Sequence, residues 1–285
     1  MNYQNLDVQP LAGALGAELF GVDLSQPLAN SVFAAIHQAF HDHLVIFFRD
    51  QTLTSAQHRD FAQRFGKLTA HPFVDGLDGF PEIIQIVKEP TEKRNWGGPW
   101  HADVTFQKEP SNGSVLYAKE VPANGGDTLF ANMYLAYETL SDGLRGTLDG
   151  LEAVHVSDVP DTYYGNHKSM REKDGGAEGL GSTAHPVVRT HPQTGRKGLF
   201  VNRGYTRHFK GMTQEESAPL LNYLFEHATR PEFTCRFHWQ PDSIAIWDNR
   251  VVLHHPVDDD FSALRGETGY QRIMHRATLA GEKPV

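Results

Sequence analysis

From about residue 80 onward the chain breaks into short apolar runs: PEIIQIV (81–87), HADVTF (101–106), SVLYAKEV (114–121), HPVVRTH (185–191), GLFVN (198–202), EFTCRFHW (232–239) and SIAIWDN (243–249). Runs this short, rich in β-branched and aromatic residues, bury their faces by pairing into sheets rather than by coiling. Turn segments such as PQTG and QPDS separate several of them. Many short strands of this kind close into two packed sheets. The expected class is therefore mainly β with flanking helices (α+β), built on a double-stranded β-helix, or jelly-roll, core.

Two helices precede this pattern and two interrupt it. SVFAAIHQAFHDH (31–43) sets Val32, Phe33, Ile36 and Phe40 at helical spacing, and LVIFF (44–48) follows as a buried strand. A second helix opens at Thr54, with Gln57 completing a capping box, and stops at Gly66. A third is expected over 132–148. The fourth starts at Thr213, capped by Glu216, and places Leu220, Leu221, Leu224 and Phe225 on one face.

No Pro, Gly or Ser linker and no repeat divides the 285 residues, so 1–285 reads as a single domain. The segment 158–183 lacks periodicity and is too long for a passive connection, which makes it a candidate lid. A net charge of −9 argues against a nucleic-acid surface, which needs clustered Lys and Arg. No apolar run approaches the roughly 20 residues of a membrane span, and MNYQNLDVQPLAG lacks the pattern of a signal peptide. The expected location is the cytoplasm. Cys235 is the sole cysteine, so any metal is left to histidines and carboxylates.

The chemistry concentrates in PWHADVTF. On a strand, His101 and Asp103 share one face while Ala102 points away. A third candidate ligand lies in IAIWDNRVVLHH, which ends in His254 and His255. Two histidines and one carboxylate on one side of an ion form the facial triad of non-haem Fe(II) oxygenases. The bland reading is that H-x-D is two surface polar residues; zinc with a bound water is a rival occupant.

The segments VDLSQPL, VIFFRDQ, QRFGKL, WHADVTF, GGDTLFANMYLAYETLS, HPVVRTHPQTGRKGLFVN, WDNRVVLHH and QRIMHRATLAG, in that order, resemble the taurine dioxygenase family of Fe(II)- and 2-oxoglutarate-dependent oxygenases. That family also holds aryloxyalkanoate dioxygenases and alkylsulfatases. The resemblance implies that His101, Asp103 and His254 bind Fe(II), with His255 on the other strand face. It implies that Arg272, assisted by Thr128, holds the C5 carboxylate of 2-oxoglutarate, and that Arg276 receives a small anionic organic substrate. His71, Tyr205 and Val104 become expected substrate contacts. Val74 and Gly97 stand where the taurine enzymes have a tyrosine and an asparagine, which implies a roomier, less polar pocket. The loop VDDDFSALRGETGYQ (257–271) is longer than in those relatives. With O2 as the other co-substrate, succinate and CO2 are the implied co-products, and a homodimer or homotetramer the implied assembly. The rivals are a zinc hydrolase using the same three ligands, or a non-catalytic 2-oxoglutarate-binding protein.

Overall fold

The computed structural model describes residues 3, 6–72, 74–157 and 181–285. The candidate lid lies outside the described residues except for its last three, which enter a strand. In chain order the strands are β1 (Asp7–Pro10), β2 (Ala17–Phe20), β3 (Val45–Phe48), β4 (Leu68–Thr69), β5 (Gly76–Leu77), β6 (Phe80–Lys88), β7 (Gly113–Glu120), β8 (Thr128–Asn132), β9 (Glu152–Val156), β10 (Ser182–Pro186), β11 (Val188–Thr190), β12 (Lys197–Leu199), β13 (Thr206–Phe209), β14 (Thr234–Phe237), β15 (Ile244–Asp248), β16 (Val252–Pro256) and β17 (Arg272–Leu279). The helices are α1 (Asn30–His43), α2 (Ser55–Gln63), α3 (Met133–Glu138), α4 (Asp142–Leu148) and α5 (Gln214–Ala228).

A large sheet runs β1-β2-β3-β15-β7-β17-β6-β5, with β4 beside the end of β17. Facing it is a smaller sheet, β14-β8-β16, and two further small sheets, β10-β9-β13 and β11-β12, extend that side. Period-two alternation creates the layers. Along β3 and β15, Val45, Phe47, Ala245 and Trp247 face inward to meet Phe130, Phe237 and Val252 of the smaller sheet. Ile46, Phe48, Ile244 and Ile246 face outward and are covered by Ile36, Ala39 and Phe40 of α1 and Phe61 and Ala62 of α2. Because both faces are covered, these strands are apolar throughout rather than alternating with polar residues. A third cluster, including Leu140, Leu148, Leu221 and Leu224, seats α3 to α5 on the far side. The jelly-roll expectation of two packed sheets with helices outside is met.

Local signals hold where they are local. Both capping boxes form, at Thr54 with Gln57 and at Thr213 with Glu216. Leu44 leaves the expected strand to end α1 in a left-handed conformation, φ 66°. The helix expected over 132–148 is two helices, because the Ser141 hydroxyl caps a new start by accepting from the Leu144 N–H. The run 185–191 splits at Val187 into β10 and β11. HADVTF is not a strand: only His101 pairs, and the chain turns from Asp103 with Val104 at φ 48°. The Asp103 N–H goes to the Asn249 side chain, and the Gln107 N–H closes the turn on the Val104 carbonyl, so no ladder continues. Among the described residues no helix is long and apolar enough to cross a membrane.

His58 and His155 are fully buried, and burial pushes their imidazoles down to about 4 and about 3. In the unfolded chain they titrate near 6.5, so the unfolded state takes up the protons first as pH falls. Their contribution is complete above about 6.5 and is lost below it, at about 1.4 kcal/mol per pH unit for each histidine. The thermal midpoint should fall steadily from pH 7 to pH 5, before the carboxylates titrate. A flat midpoint over that range would contradict burial of both rings in neutral form.

Candidate active site

His101 and His254 face each other across an isolated antiparallel bridge. They exchange both backbone hydrogen bonds, His101 N–H to the His254 carbonyl at 3.0 Å and His254 N–H to the His101 carbonyl at 2.8 Å. Directly opposed residues of such a pair project from the same face. Their rings accordingly lie 4.2 Å apart between centroids. The chain delivers His254 here because residues 249–251 turn it from β15 in the large sheet to β16 in the small one. Asp248 holds that corner: its oxygens accept from Arg250 at 2.7 and 2.6 Å, and one also lies 3.0 Å from His191 Nε2. His255 points the other way, with Nδ1 2.8 Å from the Gly98 carbonyl and its ring against Trp100.

Asp103 completes the group. Its Oδ1 lies 3.9 Å from His101 Nε2 and 3.8 Å from His254 Nε2. Oδ2 accepts from Ser114 Oγ at 2.8 Å and Asn249 Nδ2 at 3.0 Å, and Arg276 donates to Oδ1 at 2.8 Å. Burial alone would raise this carboxyl, but Arg276 first and then the Asn249 hydrogen bond outweigh it and hold it below the ordinary carboxylate range. Burial pushes both imidazoles down despite the pull of Asp103, so both are neutral. The Pro99 carbonyl, 2.9 Å from His101 Nδ1, assigns that nitrogen its proton and leaves Nε2 as a lone pair beside Asp103. Two neutral imidazoles and an ionised carboxylate, all buried, form a donor set that fits a divalent cation and leaves one side open.

His41, His191 and Asp248 also bring potential ligand atoms together. There the Asp248 oxygens are already taken by Arg250, and His191 Nδ1 accepts from the backbone N–H groups of Gln193 and Thr194. That cluster is a latch for the corner.

Residues 7–278 match the family described as Taurine catabolism dioxygenase TauD, TfdA family. The chain belongs to this family. At 38% identity, over 98% of the chain and 91% of the relative, it is similar to an alpha-ketoglutarate-dependent (2-oxoglutarate-dependent) sulfate ester dioxygenase of Pseudomonas putida. An alkylsulfatase of Acinetobacter baylyi is 37% identical over 98% of the chain and 86% of its own length. Among solved structures, a taurine dioxygenase from Burkholderia xenovorans matches with a TM-score of 0.82 at 40% identity, over 99% of this chain and 91% of that one. AAD-2 in complex with Mn(II) and N-oxalylglycine matches with a TM-score of 0.75 at 26% identity, over 98% of both chains. As a TauD, TfdA family member the protein is a 2-oxoglutarate-dependent dioxygenase, with Fe(II) as its metal.

Two cavities meet at the triad of this TauD, TfdA family enzyme. One reaches Thr128 and Arg272; the other is walled by His71, Val104, Phe106 and Tyr205; Trp96, Gly97, His101 and Arg276 line both. Arg272, Met274 and Arg276 alternate along the inner face of β17, so both arginines point into the site. Burial lowers the Arg272 guanidinium to about 10, and its Nε has no hydrogen-bond partner. Thr128 Oγ1 accepts from Trp239 Nε1 at 2.9 Å, which leaves the threonine O–H free to donate. In GGDT, Gly126 has φ 69°, and a Cβ there would lie 3.3 Å from Arg272 Cδ, so glycine lets the loop close on the arginine. Gly97 has φ 124°, and its missing Cβ would lie 3.4 Å from His101 Cε1. The left-handed backbone and the Pro256 ring, whose Cγ would lie 3.2 Å from the same Cβ, account for this glycine.

Val74 stands apart from the other residues singled out in the sequence: it packs in the inner core with Ile84 and Leu116 and lines neither cavity. Sequence reasoning passed over Ser114, Asn249, Trp96, Phe106 and Trp239. Asn249 had a signal in WDNR, and Trp96 in NWGGPWHAD; Ser114 and Trp239 sit in plain strand-like runs and had none. Since outer hydrogen bonds to a ligand typically tune metal affinity about 10–100-fold, Asn249→Ala combined with Ser114→Ala should weaken Co(II) or Fe(II) binding about tenfold or more. Titration of the apoprotein measures this. Wild-type affinity in the double variant would show that Asp103 needs neither donor.

Proposed function

We propose that the enzyme hydroxylates a carbon of a small anionic organic substrate, a sulfate ester first, with sulfonates and aryloxyalkanoates or other small carboxylates as neighbouring classes. One observation carries the reading: two buried arginines, four residues apart on one strand face, border the triad, and one reaction must hold two anions there. His101, Asp103 and His254 hold the metal. Arg272 and the Thr128 hydroxyl take the C5 carboxylate of 2-oxoglutarate, since a buried carboxylate needs charge-assisted, preferably bidentate donors. Arg276 takes the substrate anion, with the face of Trp96 5.1 Å from its guanidinium. Val104, Phe106 and Tyr205 supply an apolar wall for the carbon chain and exclude water.

Bound Fe(II) supplies the oxygen chemistry, in which 2-oxoglutarate and O2 yield succinate and CO2 while a substrate C–H becomes C–OH. When the hydroxylated carbon also bears the sulfate oxygen, the carbon–oxygen bond to sulfate breaks, leaving an aldehyde and hydrogen sulfate. The sulfate ester dioxygenase and alkylsulfatase relatives support this class. The apolar wall offers little to a small amino-sulfonate, which favours a longer chain over taurine. The reading includes a cytoplasmic enzyme without nucleic-acid or membrane partners, acting as a homodimer or homotetramer; the acidic net charge and the single, buried cysteine support the first part.

The test is 2-oxoglutarate-dependent oxygen uptake by the Fe(II)-loaded enzyme, with succinate and sulfate quantified, over alkyl sulfates, alkyl sulfonates, aryloxyalkanoates, small carboxylates and taurine. Alkyl sulfates should give matched succinate and sulfate, and Arg276→Gln should raise their KM at least about tenfold, as expected for losing a hydrogen bond to a charged group. Product formed without O2 or 2-oxoglutarate would favour a zinc hydrolase. No stimulation by any anion would overturn the substrate reading.

A further inference from the structure

Arg272 is the first residue of β17, immediately after the 257–271 loop. Its strand pairs on one side only at this point, since the β7 ladder begins at Ile273. The place of the guanidinium therefore depends on what holds the loop. Three consecutive aspartates do so: Asp258 accepts from the Asn95 N–H at 2.7 Å, Asp259 from the Gly126 N–H at 2.7 Å, and Asp260 from Lys88 Nζ at 2.8 Å.

The last contact is of a different kind, because it brackets the backbone of one residue. Lys88 Nζ also donates to the Tyr270 carbonyl at 3.1 Å, and the Tyr270 N–H donates to the same Asp260 Oδ2 at 3.2 Å. The backbone two residues before Arg272 is thus gripped at both its N–H and its C=O by one ion pair. The pair is buried, with side chains 2% and 7% exposed, so solvent does not screen it. The loop fits tightly around it: a Cβ on Gly269 would lie 2.3 Å from the Pro90 carbonyl oxygen and 2.6 Å from Asp260 Oδ2.

Lys88 is also the direct cross-strand neighbour of Arg272 in the β6–β17 register. Two like charges opposite each other repel, unless each has its own counter-anion. Lys88 has Asp260, whereas Arg272 forms no ion pair among the described residues.

We infer that the Lys88–Asp260 pair positions Arg272 and, by neutralising Lys88, leaves Arg272 rather than Lys88 as the cation offered to the distal carboxylate of 2-oxoglutarate. Lys88 and Asp260 are positioning residues that need not touch the co-substrate. The inference rests on the reading of Arg272 as the C5-carboxylate anchor.

Calorimetric titration of the Mn(II)-loaded enzyme with 2-oxoglutarate and with pyruvate tests it, because pyruvate carries the same 2-oxo acid head but no distal carboxylate. Lys88→Met should weaken 2-oxoglutarate binding about tenfold, leave pyruvate within about twofold, and raise the KM for 2-oxoglutarate more than it lowers kcat, with Lys88→Arg restoring most of the loss. If Lys88→Met does not fold, the double variant Lys88→Met/Asp260→Asn removes both charges together and should show the same selective loss. Equal weakening of both ligands, or of neither, overturns the inference. Arg272→Gln separates the two levels. If it keeps wild-type 2-oxoglutarate affinity the anchor reading itself fails, whereas its loss beside an unaffected Lys88 variant sinks only the ion pair's role.

Discussion

The site depends on one pair of backbone hydrogen bonds, those between His101 and His254. Residues paired this way must present their side chains on the same face, so two imidazoles from distant parts of the chain converge without any side-chain contact to draw them together. Everything around the bridge serves its register. The Asp248–Arg250–His191 latch holds the corner that brings β16 across from the large sheet, and a slip of one residue would present His255 in place of His254. The same corner supplies Asn249, which bonds both the backbone and the carboxylate of Asp103. The third ligand is therefore fixed by the turn that fixes the second.

Charge is distributed around this bridge so that its polar groups have one assignment. Asp103 is ionised in a buried setting because Arg276, Ser114 and Asn249 reach its two oxygens. An unpaired carboxylate in that position would be costly. Arg276 consequently bonds Asp103 and lines the cavity beside it, which ties the state of the metal ligand to that cavity. Arg272 is placed differently. It is buried beside Trp239 and Thr128, with no carboxylate of the described residues at ion-pair distance, at the end of a cavity that opens on the triad.

Backbone geometry at the site departs from ordinary strand. Val104, a β-branched residue at φ 48°, sits in a region such side chains rarely adopt. Its neighbour Thr105 is buried and bonded to Asn202 and His155, so the surrounding packing imposes the turn. The result is a valine that lines the cavity beside the triad directly after a metal ligand, where a continuing strand would have pointed it elsewhere.

What the sequence by itself determined is what acts over a few residues or through strict periodicity. The capping boxes at Thr54 and Thr213 close within one turn, the alternation of β3 and β15 sorts residues between two faces, and the spacing of Arg272 and Arg276 puts both on one face of β17. These rest on local hydrogen bonds and pleat geometry, which hold in any environment that permits the element. His101, Asp103 and His254 were legible for a different reason, the resemblance of their motifs, taken in order along the chain, to those of the family; the strand geometry expected for His101 and Asp103 does not form. Only the tertiary structure decided that HADVTF turns instead of continuing as a strand, that Val74 packs into the inner core, and that Ser114, Asn249, Trp239 and the Lys88–Asp260 pair surround the site. Each depends on a partner far away in the chain, Asn249 for the turn at Asp103 and Asp260 for Lys88. No short-range pattern carries that information, because the energy is set by which distant groups burial brings within hydrogen-bond reach.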